Sequence, residues 1–176
     1  MKLVKHIFLE GADGSGKTTL YQKLIDLGFR AGYHSGGPPK NAEELLERFI
    51  LPSGLTPCVI DRYSPISEIV YKTALEERFV IPSPIIHAWI GYCTPVIIYC
   101  RPSDRVIGHS DVVEKPHKSM DHVRKVQKHR TRIIQTYDNV MTNLDPIIMQ
   151  FKYDWKLDPT AERLISQLKD AGICVE

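Results

Sequence analysis

The nine residues Gly-Ala-Asp-Gly-Ser-Gly-Lys-Thr-Thr, from Gly11 to Thr19, constrain this chain more than any other stretch. Gly11, Gly16, Lys17 and Thr18 fit a glycine, four residues, then Gly-Lys-Ser/Thr; apolar Ile7-Phe8-Leu9 precedes them and a helical pattern from Leu20 to Phe29 follows. Strand, glycine-rich turn and helix in that order make a phosphate-binding loop. Glycines at 11, 14 and 16 let the backbone take positive φ and wrap a polyphosphate, with the N–H groups of Ser15, Gly16, Lys17, Thr18 and Thr19 and a helix dipole facing it. Lys17 is placed to reach the β- and γ-phosphates and the Thr18 hydroxyl to ligate Mg²⁺. Together with Gly11 and Gly14 these residues are the expected ATP-binding set.

The 176 residues suffice for one domain with a substantial core, and no linker or repeat divides them, so residues 1–176 read as a single unit. A net charge of +2 is too small for wholesale nucleic-acid or membrane-surface binding. Cys58, Cys93, Cys100 and Cys174 show no Cys-x-x-Cys pair and no zinc spacing, which suits reduced thiols. The first strand starts within a few residues of Met1, leaving no room for a signal peptide, and no apolar run reaches membrane-spanning length. A soluble, cytoplasmic protein is expected.

Strand-like runs recur at residues 5–10, 33–34, 57–61, 95–100 and 146–151, with helical patterns between them. Blocks such as Cys58-Val59-Ile60 and Val96-Ile97-Ile98-Tyr99-Cys100 are continuously apolar, as in strands covered on both faces. The expected fold is therefore α/β: a five-stranded parallel sheet in an α/β/α sandwich. Ser64-Pro65, Ser83-Pro84 and Asp158-Pro159 each offer an N-cap with proline at the first helical position. Residues 107–120, with Gly108 and Pro116, lack a regular pattern and form a long loop of the kind used as a lid. Ligands of parallel sheets bind beyond the strand C-termini, which directs attention to residues 11–19, 34–38, 61–63, 101–105 and 152–155.

Among these, Asp61-Arg62-Tyr63 is the second marker. A carboxylate opposite the phosphate loop can hold Mg²⁺ or its waters, and the arginine fork beside it suits a second phosphate. Tyr63, Ser67 and Tyr71 follow at four-residue spacing, which places a polar-aromatic face beside the cleft; such a face serves either a nucleoside or ordinary half-buried packing.

Glu10 to Thr19, Val59-Ile-Asp-Arg-Tyr63, Ser67 and Tyr71 together resemble the thymidylate kinase family of P-loop nucleoside monophosphate kinases. The resemblance implies that Asp13 sits near the acceptor's sugar 3′-hydroxyl, that Arg62 holds the acceptor phosphate and that Asp61 organises magnesium and phosphates. Tyr63, Ser67 and Tyr71 complete the implied acceptor set. It also implies Mg²⁺ and ATP as cofactor and donor, nucleotides as the partners, and a homodimer among the assemblies the family uses. The departures are specific. Ser67 and Tyr71 lie one residue further from Asp-Arg-Tyr than is usual, and His34-Ser-Gly-Gly-Pro-Pro39 replaces an Arg-Glu-Pro-Gly-Gly segment, leaving the accepted base open. The chain is also shorter than typical cellular members, as suits a compact, virus-encoded relative.

Some family members carry an arginine inside the phosphate loop, whereas Ala12, Asp13, Gly14 and Ser15 offer none. The positive charge is then expected from the lid, with Arg105 and Lys115 favoured over Arg101, His109, His117 and Lys118. Beyond the lid, Val123, Val126, Ile133, Tyr137, Val140 and Leu144 trace an apolar helical stripe on which Arg130 falls; it either reaches a phosphate, pairs with a structural carboxylate or snorkels. Arg124, Lys128 and Arg132 form a solvated basic face. An anionic acceptor needs no general base, and residues 33–39 hold no carboxylate, which favours a monophosphate acceptor, dTMP first. A nucleoside or other hydroxyl kinase, and a nucleotide-binding regulatory module, are the alternatives.

Overall fold

Four consecutive buried residues, Ile7–Glu10, form strand β1 at the centre of the molecule. The computed structural model describes residues 6–34, 39, 41–48, 58–101 and 120–173. In chain order the remaining elements are α1 (Lys17–Asp26), β2 (Arg30–His34), α2 (Ala42–Glu47), β3 (Cys58–Asp61), α3 (Ser64–Ala74), α4 (Ser83–Cys93), β4 (Val96–Cys100), α5 (Met120–Lys128), α6 (Arg130–Thr142), β5 (Met149–Tyr153) and α7 (Glu162–Asp170). The five strands make one parallel sheet in the order β2-β3-β1-β4-β5. This is the expected α/β architecture. The chain leaves β1 for the β2/β3 side and returns to β4 on the other, so the crevice of such a sheet opens at the C-terminal end of β1.

Alternate residues of the central strands feed two separate apolar layers. Phe8, Ile60, Ile97 and Tyr99 pack with α3, α4 and α6, including Ile66, Val70, Ile86, Ile90, Ile133 and Tyr137. Ile7, Leu9, Val59, Val96 and Ile98 pack on the other face with Leu20 and Leu24 of α1 and Leu164 and Leu168 of α7. Two-sided burial is why these strands read as unbroken apolar runs rather than alternating ones. At the sheet edge β5 alternates half-buried and exposed residues until Tyr153.

Local boundaries differ from the sequence expectation in instructive ways. β5 begins at Met149 rather than residue 146, because Asp145 turns the chain by accepting from the Ile147 N–H and bonding Ile148 through its carbonyl. Ser64 and Ser83 are the first residues of their helices rather than caps, with proline next. Asp158 caps from a turn away: its Oδ2 accepts from the Leu164 N–H at 3.1 Å, while Ala161, at φ 63°, is the residue that precedes α7. The long helix expected after the lid is divided at His129 (φ −102°, ψ 14°) into α5 and α6. Cys58 and Cys100 are buried free thiols and Cys93 is half-buried. No helix among the described residues is long and apolar enough to cross a membrane.

Candidate active site

The loop between β1 and α1 has the conformation its glycines were expected to permit: φ is 145° at Gly11, 76° at Gly14 and 87° at Gly16. Gly11 is also required by space, since a Cβ there would lie 2.3 Å from the Cys100 carbonyl oxygen at the end of β4. Lys17 is buried and folds over the loop, donating to the carbonyls of Gly11 (2.8 Å) and Ala12 (2.7 Å) and to Ser15 Oγ (3.3 Å). Burial and then the Arg62 charge lower its pKa to about 8, against the pull of Asp13 and Asp61. A nucleotide therefore meets an ammonium held among carbonyls, whose positive form is stabilised once phosphate oxygens replace them. Thr18 and Thr19 are exposed in the first turn of α1, and no side chain caps that helix, so its leading N–H groups face the crevice.

Arg62 lies directly beyond β3 and turns back over this loop. Its φ of 78° is left-handed, an uncommon state for a residue with a Cβ. Two bonds hold the turn: the Arg62 N–H donates to the Leu9 carbonyl at 3.1 Å, and the Tyr63 N–H donates to Glu10 Oε1. The guanidinium pairs with Asp13, lies 3.4 Å from both the Gly11 carbonyl and the Tyr137 hydroxyl, and sits 5.5 Å from the Tyr71 ring centre. Burial opposes its charge, but Tyr71, Tyr137, Asp13 and Glu10 outweigh that and hold its pKa above the usual value.

Beneath Arg62 lies a fully buried carboxylate. Glu10 ends β1 and also accepts from Ser67 Oγ (3.2 Å) and from the Tyr137 hydroxyl (2.8 Å). Burial pushes its pKa up, while Arg62, Tyr137 and Lys17 favour the carboxylate. The far wall is α6. Its first residue, Arg130, brings Nη2 to 3.5 Å from where a Cβ on Gly14 would stand, so the break at His129 delivers this guanidinium to the phosphate loop. Further along α6, Asp138 takes a two-pronged bond from Arg101 (2.9 and 3.0 Å) and one from the Tyr99 hydroxyl (2.8 Å). Arg101 is thus engaged in fixing the end of β4 to α6. Beyond β5, Trp155 covers the loop from the other direction, with its Cδ1 2.9 Å from where a Cβ on Gly16 would be.

Two solved structures share this arrangement of elements. One is the YorR protein of Bacillus subtilis in complex with phosphorylated GDP: TM-score 0.67, 20% identity, 98% of this chain and 100% of that chain covered. The other is the thymidylate kinase of Candida albicans: TM-score 0.60, 14% identity, 97% of this chain and 93% of that chain covered. The chain has the thymidylate kinase-like fold. No family model and no curated protein matches the sequence.

Within this thymidylate kinase-like fold the expected site residues fall into three groups. Gly11, Asp13, Gly14, Ser15, Gly16, Lys17, Thr18, Asp61, Arg62, Tyr71 and Arg130 gather around the phosphate loop and the end of β3. Tyr63 is fully buried, with its ring centre 4.3 Å from that of Phe8, and forms the floor under Arg62. Ser67 is half-buried and bonded to Glu10 at the edge of that floor. Arg105, Lys115 and residues 107–119 of the lid lie outside the described residues, as does most of the His34–Pro39 segment. The buried Asp61 carboxylate and the exposed Thr18 hydroxyl are hard oxygen donors of the type Mg²⁺ takes alongside phosphate oxygens and water, so the residues fit that ion. No role for Glu10, Tyr137 or Trp155 is expected from the sequence. A carboxylate closing an otherwise apolar strand was the available signal for the first. An aromatic beyond the last strand was the signal for Trp155; nothing distinguished Tyr137 from its apolar stripe.

Proposed function

We propose that the chain is an ATP-dependent kinase that passes the γ-phosphoryl group to a deoxynucleoside monophosphate, dTMP first, in the cytoplasm. The observation that supports this most is the contact of the Arg62 guanidinium with Asp13 and the Gly11 carbonyl of the phosphate loop, which puts a bidentate phosphate ligand beside the loop. In this reading Lys17 binds the donor's β- and γ-phosphates, Thr18 and Asp61 hold Mg²⁺, and Arg62 binds the acceptor phosphate. Bound Mg²⁺ would screen the donor's phosphate charge. Arg130 at Gly14, with Arg105 and Lys115 of the lid, supplies positive charge to the transferred group in place of an arginine within the loop. An acceptor phosphate oxygen forms the new P–O bond as the bond to ADP breaks, and no acceptor proton must be removed. Trp155, close against Gly16, offers the donor nucleotide an apolar wall.

Turnover coupled to ADP formation, measured against a panel of deoxynucleoside monophosphates and the matching nucleosides, tests the reading. Guanine nucleotides belong in the panel because of the phosphorylated GDP in the YorR neighbour. Acceptor-dependent ADP release with monophosphates alone is expected; release only with nucleosides would favour a hydroxyl kinase, and acceptor-independent release would leave a hydrolysing switch. Asp13→Ala should separately erase the preference for 3′-hydroxyl over 3′-deoxy acceptors, a loss of roughly ten- to a hundredfold for a charge-assisted bond. An unchanged preference would remove Asp13 from that role.

A further inference from the structure

We infer that Tyr137, driven by Glu10, is a positioning residue that holds the Arg62 guanidinium in its phosphate-binding orientation through a polarised hydrogen-bond relay. This rests on the proposed role of Arg62 as the acceptor-phosphate ligand.

The direction of the relay follows from donor and acceptor counts. An ionised Glu10 has acceptors only, and its Oε2 lies 2.8 Å from the Tyr137 hydroxyl, so that hydroxyl must spend its proton on Glu10. What remains toward Arg62 is lone-pair density, and Arg62 Nη1 lies 3.4 Å away, able only to donate. Every link of the chain Arg62 to Tyr137 to Glu10 therefore points the same way.

The hydroxyl has no freedom to do otherwise. Tyr137 is fully buried, stacked on Tyr99 (5.8 Å, 24°) and met edge-on by Tyr71 (6.2 Å, 89°), whose ring in turn lies beside Arg62. Glu10 is fixed at its other oxygen by the Tyr63 N–H, the same bond that holds Arg62 in its left-handed turn, and Ser67 Oγ lies 3.2 Å from both carboxylate oxygens. One carboxylate thus sets both the backbone and the side chain of the arginine. Asp13 also pairs with the guanidinium, on another nitrogen, and an incoming phosphate would compete for that site while leaving the Tyr137 contact in place.

Tyr137→Phe removes the hydroxyl and keeps the ring stack. It should raise the acceptor KM roughly three- to tenfold, the worth of one hydrogen bond, with the ATP KM unchanged. Glu10→Gln should act in the same direction, because Tyr63 N–H and Tyr137 meet different oxygens of Glu10 and an amide keeps an acceptor at only one of those two positions. If Glu10→Gln does not fold, Tyr137→Phe carries the test. The deciding measurement is a double-mutant cycle on acceptor kcat/KM: in an Arg62→Ala background the Tyr137→Phe loss should vanish. A loss that persists there, or a single-variant effect under twofold, overturns the relay. Arg62→Ala alone separates the two failures: if it impairs acceptor use while Tyr137→Phe does not, only the relay falls; if it leaves acceptor use intact, the reading of Arg62 falls, and the relay with it.

Discussion

Lys17→Ala should reduce turnover by roughly a thousandfold or more, the scale seen when one preorganised charge donor is removed from a transition state. Lys17 is the only cationic side chain within residues 11–19, and its ammonium is already turned in on the loop, bonded to Gly11, Ala12 and Ser15. The substitution should also change how the empty protein responds to pH. With a folded pKa of about 8 against the ordinary 10.5, the unfolded chain binds more protons than the folded one between those values. Lys17's contribution to stability is therefore lowest below about pH 8 and grows as the pH rises through that point. The slope of melting temperature against pH in that window should flatten in Lys17→Ala. Saturating phosphate should pull the lysine's pKa back up, so nucleotide binding above pH 8 should take up a proton, measurable by calorimetry in buffers of different ionisation heat. Near-normal turnover would remove Lys17 from the chemistry.

Arg62→Ala is expected to cut acceptor kcat/KM by roughly a hundred- to a thousandfold while leaving the ATP KM close to normal. Arg62→Lys should recover little of this, because a point charge cannot reproduce the planar fork that contacts Asp13 through Nη2 and both Gly11 and Tyr137 through Nη1. The alanine variant leaves the Asp13 carboxylate without this partner and should melt at lower temperature, so kinetics belong well below the new midpoint. Initial-rate measurements with acceptor and donor varied in turn would separate the two substrates. Unchanged acceptor parameters would show that the second phosphate binds elsewhere.

The phosphate loop and Asp61-Arg62 were legible because their chemistry is local: glycines at 11, 14 and 16 dictate backbone shape, and an Asp-Arg pair closing an apolar strand is visible in the sequence alone. The parallel sheet was legible for the same reason, since two-sided burial writes itself into unbroken runs such as residues 96–100. What escaped was the network beneath. Glu10 and Tyr137 are 127 positions apart and meet only because β1 and α6 pack in the same layer, so no spacing rule pairs them. Tyr63 stands just before α3 and Ser67 a turn into it; their four-residue spacing was legible, but their bonds to Glu10, a tertiary partner, were not. Arg130 was recognisable as a charge on an apolar stripe; its destination depended on the break at His129, where no proline or glycine announces one.

The left-handed backbone of Arg62 sets a limit on how this protein can be made sturdier. Glycine or asparagine at that position would relieve about 1 kcal/mol of backbone strain. Either would also take the guanidinium away from Asp13 and from the buried Glu10 carboxylate, a loss that outweighs the relief. The strain is therefore the condition on which the charge is held, and a hardened variant of this chain would need its extra stability installed elsewhere.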